Sequence, residues 1–296
     1  MRKTRRTGID KLHTLLFGQD LRITEGEPYC QVRPFDFAAD FEPRHLTKPL
    51  SAPAGEVFDI RTFGADPAAE DNAAAVQQAV DAAAKVGGTV LVDGGSYPMS
   101  TVELRSGVTL FITPGSFLAA RPDGKGFRHK ALLYGRDLTN VTLTGGGGLE
   151  GEGHRFGLRP ALPQNCTKPA DLIDVIEMRR TYRAQLRFAH PSKYGGLLCL
   201  EQCQGVHIHH FLFQNSAHWT CRLQMCRDVL VEYAAIRNNR NVANADGFDI
   251  VGGQDLTLRH CMVSTADDGF VFKHAVWLGS SGEMRHILIE DCRVDS

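Results

Sequence analysis

The sequence predicts an all-β protein, a parallel β-helix with a capping helix near its start and a helical insertion part-way along. Three observations carry that expectation. The second half repeats: Gln204-Gly205-Val206-His207-Ile208, Arg227-Asp228-Val229-Leu230-Val231, Gln254-Asp255-Leu256-Thr257-Leu258 and Arg285-His286-Ile287-Leu288-Ile289 align on a polar-polar-apolar-x-apolar frame. Their anchors, Val206, Val229, Leu256 and Ile287, are spaced 23, 27 and 31 residues apart, a period at which repeats stack as a solenoid. The runs in each unit are short, alternating or β-branched, and cut by polar turns, which reads as strand rather than helix. Finally, Asp-Gly-Phe occurs at Asp246-Gly247-Phe248 and again 22 residues later at Asp268-Gly269-Phe270, now behind an extra aspartate, Asp267.

The elements follow in order. Residues 1–56 read as an N-terminal extension and 57–296 as one β-helix domain, apparent truncation at its C-terminus included. The basic start MRKTRRTGIDKLHTLLFGQD has an apolar part only from Leu12 to Phe17, broken by His13 and Thr14, so a secretory signal is not expected. Glu70–Lys85 reads as an amphipathic helix, with Asp71 as N-cap. Val76, Ala79, Val80 and Ala83 share one face, and Gly87-Gly88 ends it. Such a helix covers the open end of a solenoid, where a bare coil would expose a strand edge. Thr89–Val92 and further strands through Ile112 follow, and Asn140-Val141-Thr142-Leu143 looks like an earlier copy of the repeat. Gly145–Gly148 reads as solenoid turns, since no Gly-Lys-Ser/Thr follows to make a phosphate loop.

His154–Gly196 breaks the pattern. PADLIDVIEMRRTYRAQLRF within it reads as a helix from about Pro169. Arg179, Arg183 and Arg187 fall on one side of that helix, either as a solvated face or as cations meeting an acidic substrate. The chain stops at Arg293-Val294-Asp295-Ser296, part-way through a coil, which reads as a fragment or an early-terminating product.

Composition narrows the partners. A formal charge of −1 argues against general affinity for nucleic acid or an anionic membrane, and no apolar run approaches a membrane helix. The eight cysteines contain no CxxC pair and lack zinc-site spacing, so they read as small buried hydrophobes. Cys261 and Cys292 each lie five past an anchor and should stack on one another. A monomer is expected.

The aspartates point to chemistry. In stacked coils Asp246 and Asp268 would lie about 5 Å apart, with Asp267 beside them but pointing the other way unless the turn bends the strand. Three close carboxylates repel, so at least one should hold its proton to a higher pH. An acid and an ionised base are the minimal equipment for glycosidic hydrolysis. The bland alternative is Asx-turn capping with Gly247 and Gly269 as the turn residues. A divalent cation site, or a calcium-dependent lyase, would use the same oxygens.

At these residues a resemblance enters. NADGFDI followed by ADDGFVFK resembles the glycoside hydrolase family 28 pattern, N-T-D-G-[IV]-D then D-D-[CG]-x-x-x-K, of the polygalacturonase family within the pectin-lyase-like β-helix superfamily. Phe63-Gly64-Ala65-Asp66, Gly147–Gly153 and Asn215-Ser216-Ala217-His218-Trp219-Thr220 resemble further family motifs in family order. The resemblance spans about 57–296 and implies a right-handed parallel β-helix. It also implies inverting hydrolysis of galacturonate-containing, pectic poly- or oligosaccharides without a metal or other cofactor. Asp267 would be the general acid, Asp246 and Asp268 would position and activate water, and Asn244 would support the cleft. Lys273 matches the motif lysine. His274 and Trp219 join it as candidate substrate contacts, with Trp277 and Tyr194 as further rings that could stack on sugars.

This sequence departs from the family in Ala245, in Gly269, and in lacking the G-H-G and R-I-K motifs expected after the paired aspartates. Alternatives therefore stay open: a lyase or epimerase on the same fold, or a carbohydrate-binding β-helix without catalysis. Endo and exo attack are not separable from the residues. The absence of a recognisable signal leads to a cytoplasmic expectation, reversed to extracellular or periplasmic if the gene start is wrong.

Overall fold

The computed structural model describes residues 52–153, 195–239, 242, 244–265, 267–275, 278 and 283–296. The first strand, Val57–Asp59, lies close to the start of the described chain. Among the described residues, seventeen strands follow one another in a single wound sheet, and all their pairings are parallel. The protein is the expected parallel β-helix.

Three faces make the solenoid. Sheet one stacks Val102–Glu103, Ala131–Arg136, Gly196–Glu201, residues 221–224, residues 248–251 and Phe270–Lys273. Sheet two runs from Val57–Asp59 through Thr89–Val92, Thr109–Ile112 and Thr139–Thr144 to the repeats. There the anchors pair as the spacing predicts: Val206 with Val229, Val229 with Leu256, and Leu256 with Ile287, with Val141 one coil earlier. Sheet three stacks Ser96–Met99, Phe117–Ala120, Gly148–Glu150, residues 211–214, residues 235–237, Met262–Ser264 and Arg293–Asp295.

One strand can serve all three faces because the backbone turns corners in the left-handed region. Cys221–Arg237 is 17 residues long and bends at Met225 (φ 53), Asp228 (φ 50) and Tyr233 (φ 53). That conformation strains a residue with a Cβ. At one corner, ring stacking offsets the strain. His210 (φ 49), Tyr233 and His260 (φ 54) stack in turn at 5.0 Å between centroids.

The interior is apolar at equal phase on successive coils. Leu133, Leu198, Cys221 and Phe248 are buried in one ladder, and Phe248 stacks on Phe270 at 5.5 Å. Burying each large side chain contributes about 1.5–3 kcal/mol. Cys261 stacks on Cys292 one coil on, as expected, and Cys203 on Cys226 likewise. All four are free thiols.

The capping helix is Ala73–Ala84, shorter at both ends than the pattern suggests. Val76, Ala79, Val80 and Ala83 are its buried face. Asn72 rather than Asp71 occupies the N-cap position, and its side chain makes no capping bond. Asp71 still accepts the Ala73 N–H at 2.9 Å, one residue further out than predicted. The helix also finishes an open strand edge. Gln77 donates to the Glu103 carbonyl at 2.9 Å and accepts the Glu103 N–H at 2.8 Å, so one side-chain amide takes the place of a neighbouring strand. The expected insertion at 154–196 lies outside the described residues except for Gly195 and Gly196, and Gly196 opens a strand of sheet one.

Candidate active site

The site forms where the polypeptide turns from sheet three into sheet one. Alternation puts Leu198, Cys221 and Phe248 inside, so Cys199, Arg222 and Asp249 face out. Tyr134, Cys199, Arg222, Asp249 and Val271 pair in register across this outer face. Arg136, Glu201, Gln224, Val251 and Lys273 form the next row.

Asp246 and Asp268 sit at the same phase on adjacent coils. Phe248 pairs with Phe270, and the Gly247 N–H donates to the Asp268 carbonyl at 2.8 Å. The glycines are needed for this close stacking rather than as turn residues, because neither has a positive φ. A Cβ on Gly247 would strike the Gly269 carbonyl oxygen, and one on Gly269 would strike the Val294 side chain. This corrects the Asx-turn reading. Gly247→Ala should therefore push apart the coils that carry the carboxylates, at about 1–3 kcal/mol or more. Chemical denaturation checks this, and an unchanged midpoint would refute it.

Asp246 is 3% exposed. Its Oδ2 accepts a bond from Lys273 Nζ at 3.2 Å, and its Oδ1 is buried without a hydrogen-bond partner. Burial pushes the Asp246 carboxyl up, Lys273 pulls it down, and the charges of Asp267 and Asp268 push it up again. Both neighbours thus act on Asp246. Residues 267–269 lie outside any strand, so strand alternation does not send Asp267 away. Asp267 is half-buried and Asp268 exposed. The Asp267 carbonyl accepts a bond from Thr265 Oγ1 at 2.7 Å.

Asp249 completes the cluster and was not among the sequence candidates. It is fully buried and accepts from Lys273 Nζ at 2.6 Å, while its Oδ2 has no partner. Burial first, with the Asp246 charge adding and Lys273 opposing, pushes its carboxyl up to about 7. The signal was present in NADGFDI: a charged residue one step after the inward Phe248, in an otherwise apolar strand, must face the groove and needs a partner.

Lys273 is the common partner. Burial works against its charge, but Asp249 and Asp246 outweigh that and hold it above its ordinary value. Its ammonium also lies 3.8 Å from the centroid of the Trp219 ring, a cation–π contact. Trp219 therefore supports the lysine. His274 is exposed at the end of the strand and, among the described residues, makes no ion pair with these carboxylates. Asn244, also exposed, takes a left-handed φ of 57 in the turn leading to Asp246. Trp277 and Tyr194 lie outside the described residues.

Asn238 is a second residue that sequence reasoning missed. It is buried and ties three turns together, accepting the Ser216 N–H at 2.9 Å and donating to Thr220 Oγ1 at 2.7 Å and the Ala245 carbonyl at 3.1 Å. No local pattern marks it, because its partners are distant in sequence.

The sequence pattern of Glycosyl hydrolases family 28 matches residues 92–276. That is more than half of the chain, and it contains every carboxylate of the cluster. The chain belongs to glycosyl hydrolases family 28. A curated family relative, polygalacturonase QRT2 of Arabidopsis thaliana, is 23% identical over 239 residues, covering 76% of this chain and 47% of its own length. The chain thus spans about half of that relative. The family 28 exopolygalacturonase of Yersinia enterocolitica is 19% identical with a TM-score of 0.62, covering 81% of this chain and 49% of that one. The polygalacturonase of Erwinia carotovora is 15% identical with a TM-score of 0.62, covering 84% and 65%. At these identities the structures establish the shared β-helix. The chemistry of this family 28 chain has to be argued from its own site.

Proposed function

We propose that the protein hydrolyses α-glycosidic bonds of galacturonate-containing, pectic poly- or oligosaccharides by general acid/base catalysis with inversion. The observation that carries this reading is Asp246. It is a buried carboxylate with one oxygen unpaired, raised above an ordinary carboxylate, at the phase of Asp268 on the next coil and beside Asp267. A buried acceptor without a partner is costly, and in this reading the attacking water is the donor that Asp246 takes a proton from. A raised base is also a stronger base at neutral pH.

In this reading Asp267 gives its proton to the leaving glycosidic oxygen as the bond to the anomeric carbon breaks. Water attacks that carbon from the opposite side, and its proton passes to the Asp246–Asp268 pair. Lys273 holds Asp246 ionised, and Asp249 holds Lys273. Proton exchange with solvent resets the acid and the base.

The membership of family 28 supports the reaction class, and the polygalacturonases among its relatives support the substrate. The test is a reducing-end assay on polygalacturonate with chelator present, run beside ultraviolet absorbance. New reducing ends without an absorbing, unsaturated product are expected. Unsaturated ends would instead establish a lyase, and a rate abolished by chelator would overturn metal-free hydrolysis.

A further inference from the structure

Two corners of the solenoid hold stacked thiols that the mechanism leaves unused. Cys203 and Cys226 lie between sheets one and two, and Cys261 and Cys292 between sheets two and three. All four share one local conformation. Each follows a left-handed residue: Gln202 (φ 55), Met225 (φ 53), His260 (φ 54) and Asp291 (φ 50). Each thiol donates to the carbonyl two residues back, at 3.4, 3.5, 3.3 and 3.2 Å in chain order. Equal conformations on adjacent coils aim both sulfurs of a pair the same way. Met262 pairs with Arg293, and the Arg293 N–H donates to the Cys261 carbonyl at 2.8 Å, so Cys261 and Cys292 lie opposite one another. Their thiols are hydrogen-bonded to each other, as are those of Cys203 and Cys226. Stacking sets the Cα atoms about 5 Å apart, within the span of a disulfide.

Access separates the two pairs. Cys203 is 1% and Cys226 0% exposed, so no reagent reaches either sulfur in the folded chain. Cys261 is equally buried, but Cys292 is only half-buried. The two members of this pair also differ in acidity. The hydrogen bond from Cys261 holds the Cys292 thiol below its ordinary value, with the Cys261 N–H adding and burial, Asp291 and Glu290 opposing. Burial first, then the Cys292 sulfur, pushes the Cys261 thiol well up. The thiolate is the nucleophile in disulfide exchange. Cys292 is thus placed to attack, and Cys261 to attack second.

We propose that Cys292 and Cys261 form a redox site, at which a low-molecular-weight disulfide converts the two stacked thiols into a covalent staple between adjacent coils. The Cys292 thiolate attacks one sulfur of the reagent. The reagent's S–S bond breaks, and one small thiol leaves with the proton that Cys292 gave up. Cys261 then attacks the Cys292 sulfur of the mixed disulfide, and the second small thiol leaves with the Cys261 proton. Two protein thiols are oxidised, and one small disulfide is reduced to two thiols. The staple bears on the carboxylate cluster. Cys292 leads into Arg293–Asp295, whose Asp295 carbonyl accepts the Thr265 N–H at 3.0 Å and whose Val294 side chain packs against Gly269. Closing the pair fixes this strand behind the turn that carries Asp267 and Asp268.

The experiment incubates the folded full chain with glutathione disulfide, alkylates it, digests it without reduction and maps the cysteines by mass spectrometry. Cys292→Ser and Cys261→Ser are treated alike, and thermal unfolding is recorded for the oxidised and the reduced chain. The wild type should yield a Cys261–Cys292 cross-link, with Cys203 and Cys226 remaining thiols. Cys261→Ser should keep glutathione on Cys292, having lost the thiol that displaces it. Cys292→Ser should carry neither product at these two positions. The oxidised wild type should melt about 5 °C or more above the reduced chain, and dithiothreitol should reverse the shift. Cys261 and Cys292 both remaining thiols, Cys203 and Cys226 cross-linking as fast, or a cross-linked chain that melts no higher would overturn the staple. None of these readouts uses hydrolysis, so the result stands or falls apart from the proposed activity.

Discussion

Asp246→Asn is expected to lower the rate of reducing-end release by about 10²–10⁴-fold, the contribution of one positioned acid or base. Asp267→Asn should lose a similar factor, and the pH dependence separates the two roles. As the proposed base, Asp246 must be ionised. Burial raises its carboxyl above the ordinary range, so the wild-type rate falls as pH drops through that raised value, earlier than for an exposed aspartate. In Asp246→Asn the residual rate should lose this acidic limb. In Asp267→Asn the limb should remain, because Asp246 still has to ionise. Initial rates between about pH 3 and 8 decide the matter. A limb that survives Asp246→Asn would remove Asp246 from the role of base. Full activity in Asp267→Asn would remove Asp267 from catalysis.

The second large effect is expected at Lys273. Lys273→Met takes away the cation shared by Asp246 and Asp249, both almost fully buried. Breaking a buried pair in this way costs about 3–5 kcal/mol. The sign of its pH dependence follows from linkage. Without the lysine both folded-state carboxyls rise further above their unfolded values. A group raised in this way keeps its stability below the unfolded value and loses it as pH rises toward the folded one. The deficit of the variant should therefore be small near pH 4, where unfolded aspartate titrates. It should then grow through about 7, the value for Asp249 in the intact site. Thermal unfolding at several pH values measures it. The acidic limb of any residual activity should move to higher pH, since Asp246 is then harder to ionise. A deficit independent of pH would show that Lys273 acts through packing on Trp219 alone.

Much of this molecule was legible in local pattern. The pairing of Val206, Val229, Leu256 and Ile287 could be counted off the spacing, because each coil contributes one apolar-x-apolar run to sheet two and register follows from it. Asp246 and Asp268 came into phase for the same reason. The helix face Val76–Ala83 was legible from its period of 3.6. Its N-cap was misplaced by one residue, since Asp71 and Asn72 are both good caps and only the path of the chain selects between them.

Other features depended on contacts that no window of sequence contains. Asp249 was quoted within its motif, but its weight comes from full burial against Lys273, 24 residues on. Asn238 works through three turns at once. Gly247 and Gly269 looked like turn glycines and proved to be points where two coils touch. Arg222 and Tyr134 meet on one carboxylate, that of Glu201, although 88 residues separate them in sequence. The sequence by itself determined which residues share a phase, because period and turn chemistry are local properties of the chain. Tertiary structure decided which charges meet and which carboxylates keep a proton. Those depend on distance and burial, and both are set only when the coils stack.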